Sequence, residues 1–208
     1  MKGTSHLLVG GVAGLVTSNV LQTDPLTTGI LIISGGIAGL VPDIDVDGTL
    51  SNKITNSHKF LQTLAYIIGV IIMAYSFMTG SDSEKWNGIG AGVGIILIAS
   101  FITRRHMLLV SGLGVVAAGL FLDENWLFLS GIYITVASIV PHRSYTHSIL
   151  GVIFFGVIAS QLETSVGVNG LYWACLAGYV SHLVGDMKFL PVNKRGIKLF
   201  LPFSTKDF

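Results

Sequence analysis

Charge is what this sequence lacks most. Only 11% of its 208 residues are Asp, Glu, Lys or Arg, and 51% are hydrophobic. A soluble domain carries about 25% charged residues, so this chain has too little polar surface to coat a particle in water. The deficit runs along the whole length, which excludes a soluble domain on a single anchor. Cysteine is nearly absent as well. One residue, Cys175, excludes an intrachain disulfide framework and a cysteine-rich zinc site. It sits among Trp173, Ala174 and Leu176, the setting of a packed core residue. A net charge of +1 provides none of the basic excess that marks nucleic-acid partners.

What remains is a series of apolar segments divided by short polar breaks. They run over Leu7–Leu21, Thr27–Val41, Phe60–Met78, Trp86–Ile102, Met107–Leu122, Trp126–Val140, Ile149–Ser160 and Val168–Val184. The start, Met1-Lys2-Gly3, leads directly into the first of them. With no small-residue cleavage site, it reads as a membrane helix rather than a signal peptide. The first, second and seventh segments are shortest relative to the ~20 residues of a perpendicular span. The expected fold is therefore an all-α polytopic membrane helix bundle of about eight segments (six to eight), forming a single integral membrane domain over residues 1–208.

Placing the N-terminus in the cytoplasm puts eleven of the twelve Lys and Arg residues in inner loops and leaves only Lys85 outside. The outer loops then hold Asp24, Asp82, Glu84, Asp123, Glu124 and Glu163. This is the asymmetry of the positive-inside rule, so both termini are expected to be cytoplasmic, in a multi-pass protein of the cell membrane. Glycine, at 26 residues, concentrates in the spans, where small residues let helices approach closely. The Gly88–Gly94 run follows no strand and is helix packing rather than a nucleotide loop.

Under that topology four segments bring polar residues to one face. They are Thr4-Ser5-His6, Pro42-Asp43-Ile44-Asp45-Val46-Asp47, Pro141-His142-Arg143-Ser144-Tyr145-Thr146-His147-Ser148 and Ser181-His182 through Asp186. Ionisable groups at membrane depth are costly and mark functional sites by default. His182 and Asp186, spaced i, i+4, share a helix face. Asp43 and Asp45 alternate around Ile44 and can both aim inward. His142 and His147 converge only if a turn intervenes, with Thr146 or Ser144 capping the next helix. Taken singly, each has a plainer reading: a solvated acidic loop, interfacial histidines, a structural His–Asp pair, or a topology-setting arginine. Together, three carboxylates and up to four imidazoles form a ligand set for a divalent ion, zinc first, then manganese or iron. His58, beside Lys59, and His106, beside Arg105, have no such company and read as interfacial. Tyr66, Tyr75, Trp86, Trp126 and Trp173 read as interface anchors or packing, and Tyr145 as a packing or substrate-orienting residue.

His6, Pro-Asp-Ile-Asp at 42–45, His-Arg-Ser-Tyr-Thr-His-Ser at 142–148 and His-x-x-x-Asp at 182–186 together resemble the YdjM-like family, described as LexA-regulated, membrane-bound, metal-dependent hydrolases. The tail from Asn193 through Gly196 to Pro202-Phe203 is similar to the family's C-terminal pattern. Ser144 departs from a glycine and Leu201 from a tryptophan. The resemblance implies a hydrolase, with His6, Asp43, Asp45, His142, His147, His182 and Asp186 as metal ligands. Asp45 doubles as a candidate general base. Arg143 is a candidate anion clamp, since guanidinium grips phosphate oxygens bidentately. Location and charge point to a phosphoester of a lipid or isoprenoid, with membrane lipids as partners and no nucleic acid. The rival readings are a metal-ion or proton-coupled transporter, whose polar residues would continue to the far face, and a non-catalytic membrane adaptor.

Overall fold

A computed structural model of the chain describes residues 3–45, 51–188 and 196–208, leaving aside the side chains at 51–58, 82 and 104. The described residues form eight α-helices and two short 3-10 turns: α1 (Gly3–Leu21), α2 (Pro25–Ala38), α3 (Ser51–Thr79), α4 (Asp82–Ser100), α5 (Arg104–Leu122), α6 (Asn125–Ile139), α7 (Ile149–Val166) and α8 (Leu171–Asp186). Five segments are long and apolar enough to cross a membrane: Gly3–Leu21, Pro25–Asp43, Lys59–Thr79, Arg105–Leu122 and Ile149–Val166. The three segments that look shortest in sequence are among them. The seventh gains its length by continuing through Gln161 and Glu163 as far as Val166. The bundle turns apolar side chains outward, with Leu26 75%, Ile98 71% and Phe121 90% exposed, as lipid-facing helices do.

The chain divides into two compact units, residues 52–107 and the remainder. In the smaller, α3 and α4 form a hairpin whose backbones meet where a Cβ on Gly69 would press on the Gly92 carbonyl. The Gln62 amide donates to the carbonyls of Ala99, in the last turn of α4, and Ile102, just beyond it.

The larger unit is organised around α1, α2 and α8. Asp24 caps α2 by accepting from the N–H groups of Leu26 and Thr27, with Pro25 at the first helical position. This cap reverses the chain, so that α2 runs back along α1. Gly10 and Gly14 on α1, Gly35 on α2 and Gly178 on α8 form the seam. A Cβ on Gly10 or on Gly178 would strike the same Gly35 carbonyl. Three backbones therefore converge where each helix lacks a side chain. Leu31, Phe155, Ile158, Leu171, Ala174, Cys175 and Tyr179 fill the adjoining core. Cys175 is buried there, as its neighbours predict.

The segment between α6 and α7 does not continue either helix. It turns at Arg143, whose φ of +58° is left-handed, and closes in the short 3-10 turn Tyr145–His147. The cap of α7 is Ser148, not Thr146 or Ser144. Its side chain accepts from the Gly151 N–H and donates to the Tyr145 carbonyl, while Ser144 bonds back to Pro141. The C-terminal tail packs beside it. Ile197 and Phe208 exchange two backbone hydrogen bonds, and the Leu199 carbonyl accepts from Ile149, the first residue of α7.

Candidate metal centre

Antiparallel packing in the larger unit sets the start of α1, the end of α2, the start of α7 and the end of α8 at one end of the bundle. Each contributes ionisable side chains there. His6 comes from α1, Asp43 from the 3-10 turn after α2, and Asp45 from the turn just beyond it. His142, Arg143 and His147 come from the α6–α7 connection, and His182 and Asp186 from the last turns of α8. All eight site residues expected from the sequence meet at this end. Asp47 and the His58 side chain lie outside the described residues. His106 has its Nδ1 2.7 Å from the Phe101 carbonyl, as an interfacial histidine satisfied by backbone would.

The centre is deeply enclosed. His6, His147, His182 and Asp186 are each 2% exposed or less. His147 Nε2, His182 Nε2 and Asp43 Oδ1 form a triangle with edges of 3.2, 3.3 and 3.5 Å. Asp186 Oδ2 stands 4.0 Å from His147 and 3.9 Å from His182. His6 stacks on His182 with ring centroids 3.8 Å apart, its Nε2 3.4 Å from Asp186 Oδ1. Donors bound at about 2.1 Å to a tetrahedral ion lie about 3.4 Å from one another, so the triangle has the dimensions of a coordination face.

The protonation states point the same way. His182 Nδ1 lies 2.7 Å from the Gly39 carbonyl. A carbonyl only accepts, so Nδ1 carries the proton and a neutral His182 turns a bare Nε2 lone pair to the centre. Burial holds His147 below its ordinary value, although the Asp43 carboxylate pulls it up and His182 pushes it down. A neutral ring is the form that binds metal. One proton on His147 Nε2 can satisfy only part of a triangle that already contains two acceptors, and Asp43 Oδ1 is enclosed without a hydrogen-bond partner. His6 Nε2 is likewise enclosed and unsatisfied. Buried polar atoms in such a state are rare and call for a missing partner. The residues present fit a divalent cation.

The supporting residues are partly those the sequence hides. His142 Nδ1 sits 3.2 Å from Asp45 Oδ1, and its Nε2 is 3.8 Å from Asp43 Oδ1. Asp45 therefore stands on the far side of the His142 ring from Asp43, outside both groups of donor atoms close enough to share an ion. Arg143 donates to Asp186 Oδ2 at 2.9 Å. Thr146 Oγ1 lies 3.1 Å from His147 Nδ1, while the Thr146 carbonyl accepts from the Tyr179 hydroxyl, itself 3.0 Å from Tyr133. Gly39, Tyr133 and Tyr179 escape a reading by residue type. Only the position of Tyr179, one turn before His182 on the same face, links it to the centre. Tyr145 is 40% exposed, and its carbonyl serves the α7 cap.

The fold and this centre define a multi-pass helical membrane protein with a buried His–Asp cluster at one end of its bundle. The chain belongs to the YdjM inner membrane protein family, which matches it over residues 1–208, and it is a multi-pass protein of the cell membrane. Comparisons with curated proteins and with solved structures return no match.

Proposed function

We propose that the chain is a membrane-embedded metal-dependent hydrolase whose centre opens at the cytoplasmic face, with a lipid or isoprenoid phosphoester as substrate. One observation carries this reading: His147 Nε2, His182 Nε2 and Asp43 Oδ1 lie 3.2, 3.3 and 3.5 Å from one another, the spacing of donors gathered around bound metal. Zinc suits the imidazole and carboxylate donors best, with manganese or iron as alternatives. The eight helices serve as eight crossings with both termini in the cytoplasm, in keeping with the one-sided Lys and Arg distribution.

A bound divalent ion lowers the pKa of its water to about 7 and supplies hydroxide at neutral pH. The chain's own residues would prepare that chemistry. The Gly39 carbonyl fixes the His182 tautomer, and Asp45 does the same for His142, in the manner of a carboxylate behind a metal-bound histidine. Asp45 is thus a positioning residue rather than the general base. Arg143 orients Asp186 by donating to its Oδ2. Its side chain is 26% exposed, so it can also meet an arriving phosphate. A groove of about 400 Å³ between α1 and α2, lined by Leu7, Gly11, Ile32 and Gly36 among others, begins one residue from His6 and offers a lipid chain a place beside the centre. The transporter reading finds less support, because the core beyond the centre is apolar: Leu31, Phe155, Ile158, Leu171 and Ala174.

Metal analysis of detergent-purified protein tests the centre. Wild type is expected to retain divalent metal, Asp43→Ala to lose it and His182→Ala to retain less than wild type. Absence of metal from wild type after reconstitution with zinc, manganese or iron would refute the reading. Phosphate release across a panel of lipid phosphates, set against ion flux into liposomes, then separates hydrolase from transporter.

A further inference from the structure

We infer that the centre holds two divalent cations that share Asp43. The inference rests on the metal reading above and adds the number of ions and the residue between them. Two groups of donor atoms, each mutually within 4.8 Å, overlap at this end of the bundle. One is His6, Asp43, His182 and Asp186; the other is Asp43, His142 and His147. Asp43 is common to both. Its Oδ1 lies 3.5 Å from His182 Nε2 in the first group, and 3.3 Å from His147 Nε2 and 3.8 Å from His142 Nε2 in the second.

Neither group by itself takes in every donor gathered here. An ion bound only by the second group would leave His6 Nε2 as it stands, enclosed on a residue 2% exposed and without a hydrogen-bond partner. An ion bound only by the first would leave His142 aimed by Asp45 at an oxygen 3.8 Å away, with nothing between them to bind. Two ions engage every donor in both groups. Asp43 Oδ1, the other enclosed atom without a partner, is the position a bridging carboxylate occupies. Paired ions of this kind stabilise the attacking and leaving oxygens of phosphoester hydrolysis, the reaction class proposed above.

The test uses full-length protein in detergent, stripped of metal and titrated with Mn²⁺, which reports coupling between neighbouring ions through its electron paramagnetic resonance. Wild type is expected to bind two equivalents and to show the spectrum of an exchange-coupled pair. His6→Ala and His142→Ala are each expected to fall to one equivalent with an uncoupled six-line spectrum. His6→Gln, with monodisperse elution as the check on folding, repeats the first experiment with a side chain of similar size. A single equivalent in wild type, or two without coupling, overturns the shared pair and leaves the metal reading intact. No binding at all overturns both.

Discussion

At the scale of single residues, the centre depends on groups that never touch the proposed ions. Asp45→Asn keeps the shape of the side chain but removes the charge that orients His142. It should weaken metal affinity about 10–100-fold, the usual effect of losing such a partner, measured by competition with a chelating dye. Tyr179→Phe removes the hydroxyl that holds the Thr146 carbonyl. It should reduce affinity while leaving the helical circular dichroism unchanged. His147 also sets a pH dependence. Because burial lowers its pKa in the folded state, the unfolded chain takes up the proton first as pH falls. His147 therefore contributes no pH dependence above about 6.5, its ordinary value, and stability declines below it. Thermal unfolding in detergent at pH 7.5, 6.5 and 5.5 measures the decline, and His147→Gln should reduce it. The site was legible in the sequence as residue types: His6, Asp43, His142, His147, His182 and Asp186 stand out because ionisable groups are rare in so apolar a chain. The roles were less so. Nothing in a sequence distinguishes Asp43, whose Oδ1 faces three imidazoles, from Asp45 two positions on, which faces one.

At the scale of elements, the seam of α1, α2 and α8 is where substitution is least tolerated. Gly35→Ala or Gly178→Ala places a methyl group against backbone atoms, which cannot yield as a side chain can. About 1–3 kcal/mol of destabilisation is expected from overpacking. Gly29→Ala, on the same helix α2 but facing open space, should be neutral or slightly stabilising, since alanine favours helix over glycine by about 0.5–1 kcal/mol. Comparing the three in one detergent by thermal unfolding separates packing from helix propensity. Each apolar segment in the sequence became a helix, because hydropathy reports burial in lipid directly. Their ends were harder to place. The end of α7 at Val166 lies past Gln161 and Glu163, whose polarity reads as a loop. Glu163 instead accepts from the Tyr172 N–H near the start of α8, so a charged residue here belongs to a helix-to-helix contact. The Ser148 cap was missed for a related reason: Ser144, Thr146 and Ser148 are all competent caps, and the three-dimensional turn at Arg143 decides among them.

At the scale of the whole molecule, the centre is assembled from the two ends of the chain. His6, Asp43 and Asp45 precede residue 46, and His142 through Asp186 follow residue 141, while the described side chains of residues 52–107 form a unit of their own. Such distant pairings delay assembly, because the intervening chain must be ordered before the contacts form. The consequence concerns the order of synthesis. When α1 and α2 have entered the membrane, Gly35 has its partner Gly10 but awaits Gly178, and the Gly39 carbonyl awaits His182. Chains arrested before α8 emerges lack His182 and Asp186 and should therefore not hold the ion of the first group, and their α1–α2 hairpin should be open to proteases and crosslinkers that the finished protein resists. Completion of the metal pair would then be one of the last events in the life of the nascent chain, timed by the arrival of α8.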